Sequence, residues 1–338
     1  MDLYILNKSL DTIGIIDAYD SLIWNIKYFE CGDFELYLPA TAENIRLLQR
    51  DNYVLRDNTA MIIQNIEITT DAENGNYLLV SGESLESLLK RRIIWTQTTI
   101  NSTVENALRT LVNINAVSPG DMSRIIPGLI LGAEKGYTDA IKTQFTGNNL
   151  YETIVDICTA YGLGWKISLV NKNFVFELYK GEDKSNFIIF SPEFDNLINT
   201  KYQSNMENYA NTALIAGEGE GNQRKRQAIG EASGLDRYEI YIDARDISTN
   251  SEEPISDDEY NELLMQRGIE KLSECEIITA FEGDVETRNT FENWNVGDIV
   301  QITNEYGISA KSRITGLIES DDTTGYRVIP TFSEWGAT

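Results

Sequence analysis

The sequence predicts an α+β fold that is mainly β, with two β-barrel segments and small helical elements between them. Three observations predict it. Apolar and polar residues alternate with a period of two near both ends of the chain. Only a few stretches combine a helix-start residue with apolar positions at helical spacing. The order β segment, helix, β segment occurs in each half. The clearest stretch runs from Trp294 to Glu319, where Val296-Gly297-Asp298 reads as a turn and Ile299–Thr303 as a short strand. Asn304–Gly307 is a tight loop and Ile308–Ile318 a longer strand. On that strand Ile308, Ala310, Ser312, Ile314, Gly316 and Ile318 share one face. Ser309, Lys311, Arg313, Thr315 and Glu319 take the other, broken only by Leu317. A strand with one wetted face predicts an antiparallel sheet or a barrel wall. After the polar turn Asp321–Gly325, Tyr326, Val328 and Pro330 alternate with Arg327 and Ile329.

Residues 1–95 read as a first β-barrel. Leu22, Trp24, Ile26 and Tyr28 alternate with Ile23, Asn25 and Lys27; Phe34, Leu36 and Leu38 form the next strand, stopped by Pro39. Thr41 caps a short helix to Leu48, and Ala60–Thr70 with Tyr77–Gly82 forms a hairpin around Asp71–Asn76. Asp71, Glu73 and Gly75 match a calcium loop only in part, without its closing Glu, so the segment reads as a turn. Ser84 opens a helix carrying Leu85, Leu88 and Leu89. Lys90-Arg91-Arg92 ends it, where cations suit the helix dipole.

Residues 96–185 read as a small α+β domain. Ser102-Thr103-Val104-Glu105 is a capping box before Val104, Leu108, Leu111 and Ile114. Asn149 caps a second helix with Ile154, Ile157, Cys158 and Tyr161 inward, ended by Gly162. Trp165, Ile167 and Leu169 then face Phe174, Phe176 and Leu178 across Asn171-Lys172-Asn173, a hairpin. Residues 186–250 return to strands, and 251–276 form a helical insertion opened by Ser256-Asp257-Asp258-Glu259, with Tyr260, Leu263, Leu264 and Leu272 as its apolar face. Residues 277–338 make the second β-barrel segment.

The chain has 338 residues and ordinary soluble composition, but 53 acidic residues against 28 basic ones give a net charge of −25. From Glu231 to Thr338 there are 24 acids and 8 bases. Such a surface repels nucleic acid, because duplex DNA carries about one negative charge per 1.7 Å. There is no histidine, which excludes Ser-His-Asp and Cys-His catalysis and HExxH zinc chemistry. Cys31, Cys158 and Cys275 have no metal-site spacing and are expected as buried, reduced thiols. Neither a signal peptide at Met1–Leu10 nor an apolar run long enough to span a membrane is expected.

No catalytic, cofactor-binding or metal-binding residue is assigned. Gly217-Glu218-Gly219-Glu220-Gly221 lacks a following GK[ST], and its acids would repel phosphate, so it reads as a mobile solvated loop, with contact to a partner as the second reading. A glycoside hydrolase is the hydrolytic alternative that needs no histidine, with Glu218 and Glu220, or Asp257 and Glu259, as carboxylate pairs. Glu218 and Glu220 have no aromatic platform beside them, and Asp257 to Glu259 suit a helix start. A carbohydrate-binding module is the other alternative, since 17 tyrosines and 5 tryptophans can furnish stacking faces, although most fall on inward positions of strands.

Several short stretches, in order along nearly the whole chain, resemble the tail hub (tail-associated) proteins of siphophages, which are similar to the baseplate hub of contractile phage tails. They are Trp24 to Leu38, with Tyr28-Phe29 and Gly32-Asp33-Phe34-Glu35-Leu36; Ser81 to Ile94; and Gly181-Glu182-Asp183-Lys184-Ser185, where Lys184 stands in place of the usual Arg. Tyr209 to Gly219, Gly234 to Asp246, and Gly297-Asp298-Ile299-Val300 complete the set. The resemblance implies a structural, non-enzymatic virion protein: a homotrimer whose two barrels per subunit make a pseudo-hexameric ring. The ring would continue the tail tube below the distal tail protein, admit the tape measure protein to its lumen, and pass DNA during ejection. A receptor-binding or plug protein would meet its distal end. Because the sequence runs to Thr338, where the second barrel should close, the hydrolase or adhesive extension of many relatives is not expected. Part of the acidic excess is expected to line the lumen.

Overall fold

The computed structural model describes residues 2–71, 75–249, 255–275, 277–284, 294–307 and 309–332. The N-terminal part contains β1 (Leu3–Leu6), β2 (Thr12–Ile16), β3 (Ser21–Lys27), β4 (Asp33–Pro39), α1 (Ala42–Leu47), β5 (Tyr53–Arg56), β6 (Thr59–Asp71) and β7 (Gly75–Ser84). Next come β8 (Thr98–Thr103), α2 (Val104–Val112), β9 (Leu129–Leu131), β10 (Ala140–Phe145) and α3 (Leu150–Ala160). They are followed by β11 (Gly164–Val170), β12 (Asn173–Tyr179), β13 (Ile189–Phe190), β14 (Ile198–Asn205), β15 (Thr212–Ala216), β16 (Arg226–Ile229) and β17 (Glu239–Asp243). The chain closes with α4 (Asp257–Ser273), β18 (Ile278–Asp284), β19 (Ile299–Thr303), β20 (Ser309–Asp322) and β21 (Gly325–Phe332). With 22% helix and 43% strand the fold is mainly β, as expected.

The elements form two compact units that do not follow sequential boundaries. Unit 1 gathers Met1–Ser87, Gly164–Gln203 and Thr279–Thr338; unit 2 gathers Leu88–Leu163 and Ser204–Ile278. In unit 1 a thirteen-stranded sheet follows the path β14-β18-β21-β20-β3-β4-β7-β6-β5-β1-β2, with β13 and β19 joined through β20. The two β segments expected as separate barrels are therefore neighbours in one sheet. Its path is open: among the described residues no ladder joins β2 to β14. Two cores lie on it. One collects Leu3, Ile5, Leu22, Trp24, Phe34, Leu36, Val54, Ile63 and Val80, the other Phe190, Trp294, Val300, Ile302, Ile314, Val328 and Phe332.

Local signals account for many of the elements. β4 alternates without a break, burying Phe34, Leu36 and Leu38. Thr41, Asn149 and Ser256 cap α1, α3 and α4 through their side chains, and Ser256 with Glu259 makes the full capping box. Asn171 and Lys172, both at positive φ, make the tight turn between β11 and β12. That hairpin belongs to unit 1 rather than to the helical domain. Trp165 Nε1 donates to the Phe29 carbonyl at 2.6 Å, and Tyr179 meets Tyr28 edge-on at 5.1 Å.

The segment after Ser84 is a 3-10 helix, Leu85–Arg91. The expected alternation of 308–318 breaks within β20, where Ser312, Arg313 and Ile314 are buried in succession; Ile308 lies outside the described residues. A register shift between Ile314 and Gly316 against β21 inserts one residue and resets the faces. Arg313, expected in water, is instead 7% exposed, donates to the Gly297 carbonyl at 2.7 Å and lies 5.3 Å from the Tyr28 ring centroid. Cys31 and Cys158 are buried, but Cys275 is only partly so.

The Ser102–Glu105 box is not made. Thr103 caps α2 through the Asn106 amide. Glu105 turns away to accept amides from Lys135 at 2.6 Å, Gly136 at 2.7 Å and Tyr137 at 2.9 Å, anchoring the loop before β10. Burial pushes the Glu105 carboxyl up, but these amides and Arg109 outweigh it and hold it below its ordinary 4.5. A depressed folded pKa adds stability that is complete above the unfolded value and is lost as pH falls through the folded one. Glu105→Gln is expected to cost about 1.5–3 kcal/mol at neutral pH. The variant should also lose less stability than the parent on acidification below 4.5, in urea unfolding followed by circular dichroism. Thiol labelling of the native protein is expected to reach Cys275 first and Cys158 only on unfolding, since full burial also raises the Cys158 thiol.

Candidate functional site

The alternation that buries Phe34 and Leu36 sends their neighbours to the outer face of β3, β4, β7 and β6. Ladder register sets Asn25 beside Asp33, and Asp33 beside Glu83. The next row holds Ile23, Glu35, Ser81 and Asn65; the row after it holds Tyr37, Leu79 and Glu67. Four carboxylates, Asp33, Glu35, Glu67 and Glu83, thus share one sheet face. Asp33 accepts from Asn25 Nδ2 at 3.1 Å, and Glu83 from Gln64 Nε2 at 3.0 Å and the Cys31 thiol at 3.7 Å. Asp33, Glu35 and Glu67 enter no ion pair among the described residues. Tyr37 and Tyr77 stack at the end of this face, with ring centroids 4.9 Å apart and planes 10° apart. Desolvation, Tyr77 and Asp20 hold the Tyr37 phenol above its ordinary value. Such a face repels polyanions and offers no phosphate clamp.

The carboxylates weighed for hydrolysis lie in unit 2, in other roles. Glu218 accepts the Thr249 hydroxyl at 2.5 Å and amide at 3.2 Å, with Lys225 Nζ at 3.7 Å. Burial raises it, and these partners bring it below its ordinary value. Glu220 is exposed. The glycine loop is not a free solvated loop, because Tyr260 Oη accepts the Glu218 amide at 2.7 Å and Arg224 donates to the Gly217 and Ala216 carbonyls. Asp257 pairs with Lys225 at 2.7 Å, Glu259 closes the cap of α4, and both are held down. None of Glu218, Asp257 and Glu259 is the raised acid that glycoside hydrolysis needs. Of the calcium-like turn, Glu73 lies outside the described residues, and no group among the described residues is arranged to hold a metal ion.

The acids that burial does raise were not legible as sites. Glu270, on α4, is pushed up to about 7 by burial, with Arg267 and Gln266 opposing. Its one signal is a spacing of three from Arg267 and seven from Leu263, on the inward face of α4. Glu86 lies in the 3-10 helix, on the floor of a cleft of about 650 Å³ in unit 1. The cleft is bordered by Asn25–Lys27, by the β5–β6 turn with Asn58, and by the outer edge of β11. No helix among the described residues is long and apolar enough to cross a membrane.

Residues 2–332 match the family described as Siphovirus ReqiPepy6 Gp37-like protein. No curated protein matches the sequence. Among solved structures, the tail protein from Neisseria meningitidis MC58 is similar over 98% of this chain and 96% of its own, at 12% identity and a TM-score of 0.61. The 43 kDa tail protein of prophage MuSo2 from Shewanella oneidensis is similar over 98% of each chain, at 12% identity and a TM-score of 0.62. Prophage tail protein gp18 from Listeria monocytogenes EGD-e is similar over 100% of this chain and 96% of its own, at 13% identity and a TM-score of 0.58. At these identities the likeness is one of fold.

Because Asp33, Glu35 and Glu67 hold nothing together by ion pairing, replacing all three by Asn, Gln and Gln is expected to leave folding nearly unchanged. Each such surface change is worth roughly 0.5 kcal/mol or less. A thermal scan checks this; a loss of several kcal/mol would show that the acidic face is structural.

Proposed function

The chain belongs to the Siphovirus ReqiPepy6 Gp37-like family of phage tail proteins, and we propose that it is a structural hub of the tail tip, with no catalytic role. In this reading three copies form a ring that continues the tail tube below the distal tail protein. Each copy contributes the open sheet of unit 1 with its two cores, so that three copies would set six such cores around the axis. The tape measure protein enters the lumen before ejection and DNA passes through it afterwards. A separate receptor-binding or plug protein meets the distal end. The ring is assembled in the host cytoplasm and resides in the virion.

The observation that carries this reading is the outer face with Asp33, Glu35, Glu67 and Glu83. We place it on the channel wall. A wall of fixed negative charge facing a duplex with about one charge per 1.7 Å keeps the DNA from adsorbing during transit. Tight binding would stall a passing polymer, so a channel needs repulsion and water rather than recognition.

Cryo-electron microscopy of the purified protein mixed with its distal tail protein tests the assembly. The expected result is a three-fold ring with an open axis lined by Glu35 and Glu67. A ring with this face buried or turned outward, or a persistent monomer in the presence of the partner, would overturn the reading. In the phage, Asp33→Lys, Glu35→Lys and Glu67→Lys together are expected to leave assembly intact and to slow DNA release, with raised salt relieving the delay.

A further inference from the structure

Glu86 is buried at 8% exposure on the floor of the cleft beside β11. Its Oε1 accepts the Ile167 amide at 2.9 Å, and its Oε2 has no hydrogen-bond partner. The cations on the rim are already matched: Lys27 Nζ is 3.5 Å from Glu30, and Lys166 Nζ is 3.9 Å from Glu177. Glu86 is thus the acid of the lining with no cation at ion-pairing distance among the described residues, Lys166 acting on it only from further off. The outer edge of β11 runs along the same cleft. Trp165 donates its outward amide to the Tyr28 carbonyl and Ile167 donates to Glu86. The next outward amide, that of Leu169, has no partner among the described residues. A cleft thus holds two unmet needs side by side, a strand edge and a buried carboxylate oxygen.

We propose that this cleft docks an extended peptide segment of a partner protein, which runs along the β11 edge and places a lysine or arginine side chain against Glu86. The edge supplies main-chain hydrogen bonds, the mode by which exposed strands take up peptides. The buried oxygen supplies the specificity, because a charged donor satisfies a desolvated carboxylate better than a neutral one. A volume of about 650 Å³ admits a few residues, within the usual range for binding clefts. The net charge of −25 draws a cationic segment and discourages an acidic one. Burial holds the Glu86 carboxyl above its ordinary value, with Ser84, the Ile167 amide, its own amide and the more distant Lys166 charge opposing. An arriving ammonium therefore favours the charged form that burial disfavours.

The test titrates the full chain, carrying carbon-13 in its glutamate carboxyls, with Nα-acetyl-lysine N-methylamide and with its norleucine counterpart. The lysine compound is expected to shift both the Glu86 carboxyl resonance and the Leu169 amide; the norleucine compound should leave the Glu86 resonance in place. Glu86→Gln keeps an acceptor for Ile167 and is expected to weaken the lysine compound roughly tenfold or more, the loss of one charge-assisted hydrogen bond. Equal affinity for the two compounds, unchanged lysine affinity in Glu86→Gln, or no shift of Glu86 at millimolar lysine compound would each overturn the proposal. Self-association that vanishes in Glu86→Gln would give the cleft to a second copy of the chain and overturn the partner reading. Should Glu86→Gln fail to fold, the contrast between lysine and norleucine on the parent protein decides alone.

Discussion

The ladder between β3 and β20 is the constraint on which unit 1 depends. It pairs Gly316 with Lys27 and runs to Asp322 with Ser21, joining strands almost three hundred residues apart. Without it the path β14-β18-β21-β20 and the path β3 to β2 would be two sheets, each with a hydrophobic edge in water. The Tyr28 amide extends the ladder by one bond to the Thr315 carbonyl at 2.8 Å. The Tyr28 ring then sits in space that only glycine leaves: a Cβ on Gly164 or Gly297 would come within 2.3 Å of it. On the inner side Arg56 pairs with Glu319, which also accepts from Tyr326, and the guanidinium lies 5.9 Å from the Trp24 ring centroid. Removing either ionic partner would strand a buried charge, at a cost of about 3–5 kcal/mol.

What could be read from the sequence is what is decided within about ten residues. Alternation in β4, the caps at Thr41, Asn149 and Ser256, and the Asn171-Lys172 turn all rest on neighbours along the chain. What could not be read depends on distant segments. Glu105 has the spacing of a capping box, yet three amides thirty residues on compete for its carboxylate and win. Arg313 sits at an outward position by parity, yet the Gly297 carbonyl and the distant Tyr28 ring hold its guanidinium in a buried place. The hairpin β11–β12 was legible as a hairpin, but its partner was not, because aromatic packing on Tyr28 carries no periodicity. The acidic face was not legible, although Asp33 and Glu35 alternate with Phe34 and Leu36. Only the ladders bring these two together with Glu67 and Glu83.

The carboxylates divide into two populations with different energetics. Glu105, Glu218 and Glu319 are committed to partners and hold segments in place. Asp33, Glu35 and Glu67 face solvent without ionic partners, and their effect is a field that salt can weaken. The charge of −25 is therefore not a single property. Part of it is structural glue, and part is a surface free to serve whatever passes in front of it.

The order of unit 1 along the chain has a consequence for its synthesis. A ribosome delivers β3 early and β20 near the end, and residues of unit 2 emerge between them. During that interval β3 has only β4 beside it, and its other edge waits for a strand not yet made. Closing so long a loop is slow on grounds of chain entropy, which makes the nascent edge a natural client for chaperones. A message cut short anywhere before residue 316 yields a chain without the β3–β20 ladder, which cannot complete unit 1.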